Sequence, residues 1–210
     1  MRSVTALPHL RPYHPDDRPA LFDVCVRTGH EGGDARGVYP DPDLLPAVFL
    51  APYLELEPEL ASVLDDGGGT AVGYLVGTAD TAAFAARFRT GYLPGVAARF
   101  PAPDGEPATP AEQLRAVLHT PEAMVRPELA GHPAHLHIDI LPSHQRGGHG
   151  RALIETSLAV LAGRGVPGVH LAVAKANGPA QKFYDRLGFR DLGVADPAVT
   201  YLGRAIPRGA

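Results

Sequence analysis

The densest set of proton-transferring side chains in the sequence is His135, His137 and Asp139, at alternate positions of the stretch AHLHIDI. In an extended strand, residues two and four apart point to one side. Leu136, Ile138 and Ile140 alternate with them, as expected of a half-buried strand. Asp139 or His137 could accept a proton from an attacking group, directly or through a water. The same side chains could instead make structural hydrogen bonds, or ligate a metal in an H-x-H-x-D arrangement. Directly after them, Pro142 stops the ladder because it has no amide proton to donate. The run Gln145-Arg146-Gly147-Gly148-His149-Gly150-Arg151 follows, and then Leu153, Ile154, Leu158 and Leu161 at helical spacing. Strand, glycine-rich turn and helix in that order create an anion site, because the amides of a helix's first turn lack partners and the dipole favours negative charge. The dinucleotide fingerprint G-x-G-x-x-G and the G-K-[S/T] ending of the P-loop are both absent.

A second group of chemistry-bearing residues lies downstream. Val169, Leu171 and Val173 alternate as a strand, Asn177 is placed to cap a helix with Pro179 near its start, and Tyr184 follows on that helix. Gln145, Gly148 and Gly150 fill the pattern Q/R-x-x-G-x-G/A, and Phe183, Tyr184, Gly188 and Phe189 fill F-Y-x-x-x-G-F after Asn177. With these paired motifs, roughly residues 134–193 resemble the GNAT superfamily of acyl-CoA N-acyltransferases. LRPYHPDDRPALFDVC is similar to the opening strand and helix of that family. The stretch DPDLLPAVFLAPYLELEPELASVL resembles more narrowly the acetyltransferase-like domain at the C-terminus of O-GlcNAcase and its free-standing bacterial relatives.

The resemblance implies an α/β (α+β) GNAT fold: a mixed, mostly antiparallel sheet of six to seven strands, with splayed central parallel strands and helices on both faces. It implies an acetyl-CoA-dependent N-acetyltransferase acting by direct attack of an amine on the thioester, with acetyl-CoA as co-substrate. Amides from Gln145 through Arg146, Gly147, Gly148, His149 and Gly150 to Arg151 would hold the pyrophosphate. The backbone at Ile140, Leu141 and Pro142 would meet the pantetheine arm, with an amide toward the thioester oxygen. Asn177 and Ala180 would also contact the cofactor. Tyr184 would give a proton to the departing thiolate, a task an ordinary phenol of pKa about 10 can perform at neutral pH. The family does not fix its general base, so Asp139 and His137 both stay open. Three metal ligands directly before a CoA turn would compete with the cofactor, which argues against a metal. The narrower resemblance keeps a second class open, a module that binds or senses acetyl-CoA with little transfer, because the O-GlcNAcase domain is regarded as lacking that binding.

These groups need a scaffold to position them. Residues 1–8 read as a loose end and His9 to Tyr13 as a first strand. Ala20, Leu21, Val24, Cys25 and Thr28 mark a helix ended by Gly29. The polar loop His30 to Asp43 reads as an acceptor-side lid or a plain connector. A short helix is expected over Asp43 to Leu50. A hairpin follows, Glu59 to Asp65 and Thr70 to Gly77, turning at Asp66-Gly67-Gly68-Gly69. Asp80 to Arg89 reads as a capped helix and 91–109 as irregular. Thr109-Pro110-Ala111-Glu112 is a capping box opening a helix through Leu118, and 120–133 reads as loop. Phe189 to Gly193 and Val199 to Leu202 are expected as final strands. The chain thus reads as a single domain over 1–210, with an insertion at about 80–132 shaping the acceptor side.

Composition sets outer limits. A chain of 210 residues, 45% hydrophobic and 20% charged, suits a well-developed globular core. A net charge of -4 gives no electrostatic reason to expect nucleic acid or an anionic membrane as partner. Cys25 is the one cysteine, so no intrachain disulfide can form, and its helical position suggests a buried small hydrophobe. No run approaches about 18 uninterrupted apolar residues, and no signal-peptide pattern opens the chain, so a cytoplasmic location is the default expectation. Glu31, Asp34, Asp41, Asp43, Glu55, Glu57 and Glu59 precede the central strand. They suggest a solvated face, or a preference for a cationic amine if they line the acceptor cleft.

Overall fold

A computed structural model describes residues 7–30 and 32–207. The expected loose end falls outside these up to residue 6, as does Glu31 of the polar loop. In chain order the elements are strand β1 (His9–Pro12), helix α1 (Arg18–Thr28), α2 (Leu44–Phe49), α3 (Ala51–Leu56), β2 (Ser62–Asp65), β3 (Ala71–Thr78), α4 (Thr81–Arg87), α5 (Leu93–Val96), α6 (Pro110–His119), β4 (Ala134–Ile140), α7 (His149–Gly163), β5 (Gly168–Ala174), α8 (Gly178–Arg186), β6 (Arg190–Asp191) and β7 (Val199–Ala205). The strands form one seven-stranded sheet in the order β1-β2-β3-β4-β5-β7-β6. Every pairing is antiparallel except β4 with β5. This is the expected fold class.

β3 lies between β2 and β4, and all eight of its residues are buried. A strand covered on both faces needs no polar alternation. Gly77 sits where β3 and β4 approach closely: a Cβ there would lie 2.4 Å from the carbonyl oxygen of His135. Any side chain at Gly77 would therefore push β4 away at the first of the candidate proton-transfer residues.

Local sequence explains most helix boundaries. The Asp80 carboxylate accepts from the amides of Ala82 and Ala83 at the start of α4. Thr109 and Glu112 form the reciprocal cap at α6. The Asn177 side chain accepts from the Ala180 amide at α8.

Some boundaries depart from expectation. The helix read as ending at Leu50 is followed by α3, because Pro52 occupies a first-turn position where its missing amide costs nothing. Strand β2 begins at Ser62 rather than Glu59, since Pro58 opens a short 3-10 turn over Pro58–Leu60. The helix of α4 does not stop at Arg89. It widens into a π turn over Phe88–Tyr92 and continues as α5 to Val96, where an irregular chain was expected. Phe84, Phe88 and Tyr92 are spaced by four and pack edge to face in sequence, with centroids 6.1 and 5.0 Å apart, and the Tyr92 hydroxyl donates to the Ala47 carbonyl at 2.8 Å. That aromatic column holds the turn together despite Gly91. Segment 120–133 contains 3-10 turns at Pro121–Met124 and Pro127–Leu129. Strand β6 is shorter than expected and β7 longer.

Candidate active site

The two central parallel strands separate after a short contact. β4 pairs with β5 only at Ala134 with Val169 and at His135 with His170, while β5 stays paired with β7 from Gly168 to Ala174. In an antiparallel ladder both main-chain groups of a residue face the same neighbour, and the direction alternates along the strand. The Leu141 amide donates to the Val72 carbonyl on the β3 side at 2.9 Å. Ile138 and Ile140 therefore face β5, across the gap. Gln145 Nε2 donates to the Ile140 carbonyl at 2.8 Å, so the Ile140 amide is the group left facing the opening. Of the backbone positions expected to meet pantetheine, Ile140 fits. The Leu141 amide is already satisfied by β3, and Pro142 begins a 3-10 turn.

The turn after β4 has the geometry of an anion cradle. Arg146 and Gly148 take left-handed φ values of 64° and 84°. Such alternation folds successive amides into a concavity. For Arg146, a non-glycine residue, that conformation costs on the order of 1–2 kcal/mol. Gly148 caps α7, and nothing lies within 4 Å of where its Cβ would be. Among the described residues, the amides of Arg146, Gly147, Gly148, His149, Gly150 and Arg151 have no protein acceptor; the first amide of this helix with one is Ala152, bonded to Gly148. The His149 ring folds beside Gly147, its Nε2 2.8 Å from a Cβ built there, while the Arg151 guanidinium pairs with Glu155. A run of unpaired, converging amides at a helix start is what a diphosphate requires, so these residues fit CoA.

Tyr184, on α8, is 9% exposed and packs between Phe183 and Phe189 at centroid distances of 5.2 and 5.6 Å. Its pKa is not that of an ordinary phenol. Burial, reinforced by the charge of Asp139, drives it upward. The Phe183 ring tip would lie 3.1 Å from a Cβ at Gly150, so α8 packs directly against the cradle. Asn177 Oδ1 is engaged by the Ala180 amide, and its Nδ2 lies near Gly32 of the polar loop. That loop thus reaches the start of α8.

His135, His137 and Asp139 do share a face of β4; the two histidines share one partner and Asp139 has another. The Tyr53 hydroxyl lies 2.6 Å from His135 Nε2 and 3.0 Å from His137 Nε2. His135 Nδ1 is 2.7 Å from Thr81 Oγ1. Asp139 accepts from the Tyr74 hydroxyl at 2.6 Å. Burial raises the Asp139 pKa to about 6, against the lowering effect of Tyr74. Burial, followed by the neighbouring imidazoles, holds His135 well below the ordinary histidine value. Burial and then His170 hold His137 at about 4. Among the described residues, no group of three or more His, Cys, Asp or Glu is placed to hold a metal.

His135, His137 and His170 line a cavity of about 260 Å³, walled by Phe49, Tyr53, Phe88 and Met124 and by Arg126 on its rim. Asp139 does not line it. The walls come from α2, α3, the π turn, α6 and the segment after it, and from β4 and β5 beside their separation. None of the described acidic residues of the N-terminal half lines this cavity. Asp34 pairs with Arg36, Asp41 and Asp43 with Arg99, Glu55 with Arg18, Glu57 with Arg87, and Glu59 with Arg164.

Tyr53, Thr81, Tyr74 and His170 escaped the sequence reading. Tyr74 stands directly opposite Asp139 in the ladder, so correct pairing of two strands would have found it. Nothing local to Tyr53 or Thr81 indicates their partners. Among the described residues, no helix is long and apolar enough to cross a membrane.

Comparison with known proteins agrees with this geometry. The family model for the acetyltransferase (GNAT) family matches residues 111–189. The crystal structure of SsHAT is 57% identical in sequence, with a TM-score of 0.93, covering 96% of this chain and 99% of that one. Protein O-GlcNAcase of Rattus norvegicus is 25% identical over 203 residues, which is 94% of this chain; the chain spans only 22% of that curated relative's length. PaiA N-acetyltransferase from Thermoplasma acidophilum, solved in complex with coenzyme A, shares the fold at a TM-score of 0.58 and 12% identity, covering 94% of this chain and 98% of that one. With a near-full-length relative at 57% identity and the family match running through the strand, turn and helix of the cradle, the chain belongs to the acetyltransferase (GNAT) family.

Proposed function

We propose that the protein is an acetyl-CoA-dependent N-acetyltransferase that passes an acetyl group directly to an amine. The observation that carries this reading is the run of amides from Arg146 to Arg151 without protein acceptors, at the mouth of the separated strands, with a cavity lined by His135, Leu136 and His137 further back on β4. Acetyl-CoA supplies an acetyl group activated as a thioester. The cradle binds the diphosphate through main-chain donors and the dipole of α7. The Ile140 amide and the outward edge of β4 offer strand-like pairing to the pantetheine arm, and Asn177 and Ala180 flank it at the start of α8.

Tyr184 keeps its proton through the neutral range, because its pKa lies above that of a free phenol. It can therefore donate a hydrogen bond to a departing thiolate. On the other side of the strands, the cavity admits a small amine or the tip of a larger acceptor. Its apolar and aromatic walls exclude water, and a neutral imidazole or the Asp139 carboxylate receives the amine's proton. The segment 80–132 builds much of that wall through the π turn, α6 and Met124.

Titration calorimetry with acetyl-CoA, followed by a thiol-release screen over amines, tests the proposal. Binding with turnover on at least one amine supports it. Binding without turnover on a broad panel would favour a sensing module, and no binding would dispose of both readings.

A further inference from the structure

The hydrogen bonds around His137 have a direction that can be worked out from one end. The Thr81 hydroxyl lies 2.7 Å from the Pro133 carbonyl and 2.7 Å from His135 Nδ1. The Pro133 carbonyl accepts the Thr81 amide at 2.8 Å and has a second lone pair; a carbonyl cannot donate, and two oxygens 2.7 Å apart need a proton between them, so the single Thr81 hydroxyl proton goes to Pro133. Thr81 Oγ1 must then accept from His135, which places the His135 proton on Nδ1. A neutral imidazole carries one proton, so His135 Nε2 is bare and accepts from the Tyr53 hydroxyl at 2.6 Å. The Tyr53 proton is thereby spent. Tyr53 oxygen, 3.0 Å from His137 Nε2, can only accept from it. His137 therefore carries its proton on Nε2 and presents a bare Nδ1, which has no protein partner among the described residues. The chain is mechanically firm: the Tyr53 ring is 2% exposed and stacks on Phe84 at 4.5 Å and 13°.

We infer that Thr81, His135 and Tyr53 are positioning residues that fix the His137 tautomer, leaving Nδ1 as the atom that accepts the acceptor amine's proton. The inference rests on the transferase reading above and assigns its base. His137 lines the acceptor cavity and Asp139 does not. In the transfer, the amine nitrogen bonds to the acetyl carbon, the carbon–sulfur bond breaks with its electron pair left on the CoA thiolate, which takes a proton from Tyr184, and the nitrogen's proton goes to His137 Nδ1. The imidazolium so formed is held by Tyr53 through Nε2–H. The titratable groups facing His137 are His135 on its own strand, Tyr53 from α3 and His170 from β5, all neutral near pH 7. Arg126 and Tyr201 line the same cavity, and Asp139, two residues further along β4, shares the His137 face.

The test is the ring-proton position in the full chain with nitrogen-15-labelled histidine, read by long-range proton–nitrogen correlation at neutral pH. The expected spectrum shows His137 protonated on Nε2 and His135 on Nδ1. Tyr53→Phe should mix the His137 tautomers and lower thiol release from acetyl-CoA about tenfold or more, while the acetyl-CoA Kd holds. Thr81→Val, which cuts the anchor at the far end, should disturb His135 first. Should Tyr53→Phe fail to fold, the wild-type spectrum still decides. A His137 ring protonated on Nδ1, or charged at neutral pH, would overturn the inference. So would unchanged tautomers and turnover in a folded Tyr53→Phe. Loss of acetyl-CoA binding by the wild-type protein would strike the transferase reading instead, and calorimetry separates the two.

Discussion

The Tyr74 hydroxyl donates to the Asp139 carboxylate across 2.6 Å, from the residue directly opposite on the neighbouring strand. This pair stands toward the open end of the strand separation, four residues past the last β4–β5 pairing, and the charge of Asp139 reaches Tyr184. Burial of the carboxyl is only partly offset by the hydroxyl, so its pKa rises to about 6.

That rise has a definite sign for stability. Between the unfolded value near 4 and the folded value near 6, the folded state binds more protons than the unfolded, so Asp139 makes stability fall as pH climbs through that window. Asp139→Asn keeps an acceptor for Tyr74 and removes the titration. The variant should be more stable than the parent above pH 6, by at most about 3 kcal/mol, and the difference should shrink toward pH 4. Denaturant unfolding at several pH values measures it; a parent more stable than the variant at pH 8 would contradict the account.

The buried imidazoles act in the opposite direction. His137, held at about 4, and His135 and His170, also lowered, bind fewer protons folded than unfolded below about pH 6.5. Stability should therefore drop as pH falls from about 6.5 toward 4. His137→Gln retains an N–H for Tyr53 and should make that decline shallower by up to roughly 1.4 kcal/mol per pH unit, the contribution of one proton. An unaltered slope would show that the ring titrates normally.

Gly148 separates conformation from contact. Its φ is 84° and open space surrounds its Cβ position. Alanine there meets no clash but disfavours the left-handed backbone by about 1–2 kcal/mol. Gly148→Ala should weaken acetyl-CoA binding roughly tenfold while lowering Tm by only a few degrees. Equal affinities by calorimetry would mean that the turn does not shape the cofactor site.

Tyr184→Phe removes only the hydroxyl from a packed aromatic position. Turnover should fall by about 10²-fold or more, the usual scale for a general acid, with acetyl-CoA affinity nearly unchanged. The effect should persist at mildly alkaline pH, because the phenol stays protonated there. Unchanged turnover across neutral and alkaline pH would return Tyr184 to a packing role.

The parts of this site that were legible in the sequence are those encoded locally. Gln145, Gly148 and Gly150 define a turn through backbone freedom and close approach, and Asn177 defines a cap through a side chain that reaches three residues on. The hydrogen-bonded chain was not legible. Tyr53 is 82 residues from its His135 partner, and Thr81 is 54 away from it, so only tertiary packing joins them. Of the acidic residues singled out before the central strand, Asp34, Asp41, Asp43, Glu55, Glu57 and Glu59 all pair with arginines outside the cavity, and all but Asp34 do so with partners distant in sequence. The π turn depends on an aromatic column whose last member bonds to α2, a contact no helical periodicity announces.

Titration of the protein with acetyl-CoA is the most direct test of the central claim, that amides from Arg146 to Arg151 grip a diphosphate. The account predicts one-site binding in the micromolar range or tighter, lost when the diphosphate is removed from the ligand and only the acetylated pantetheine arm remains. Equal affinity for acetyl-pantetheine, or no heat with acetyl-CoA at all, would contradict it.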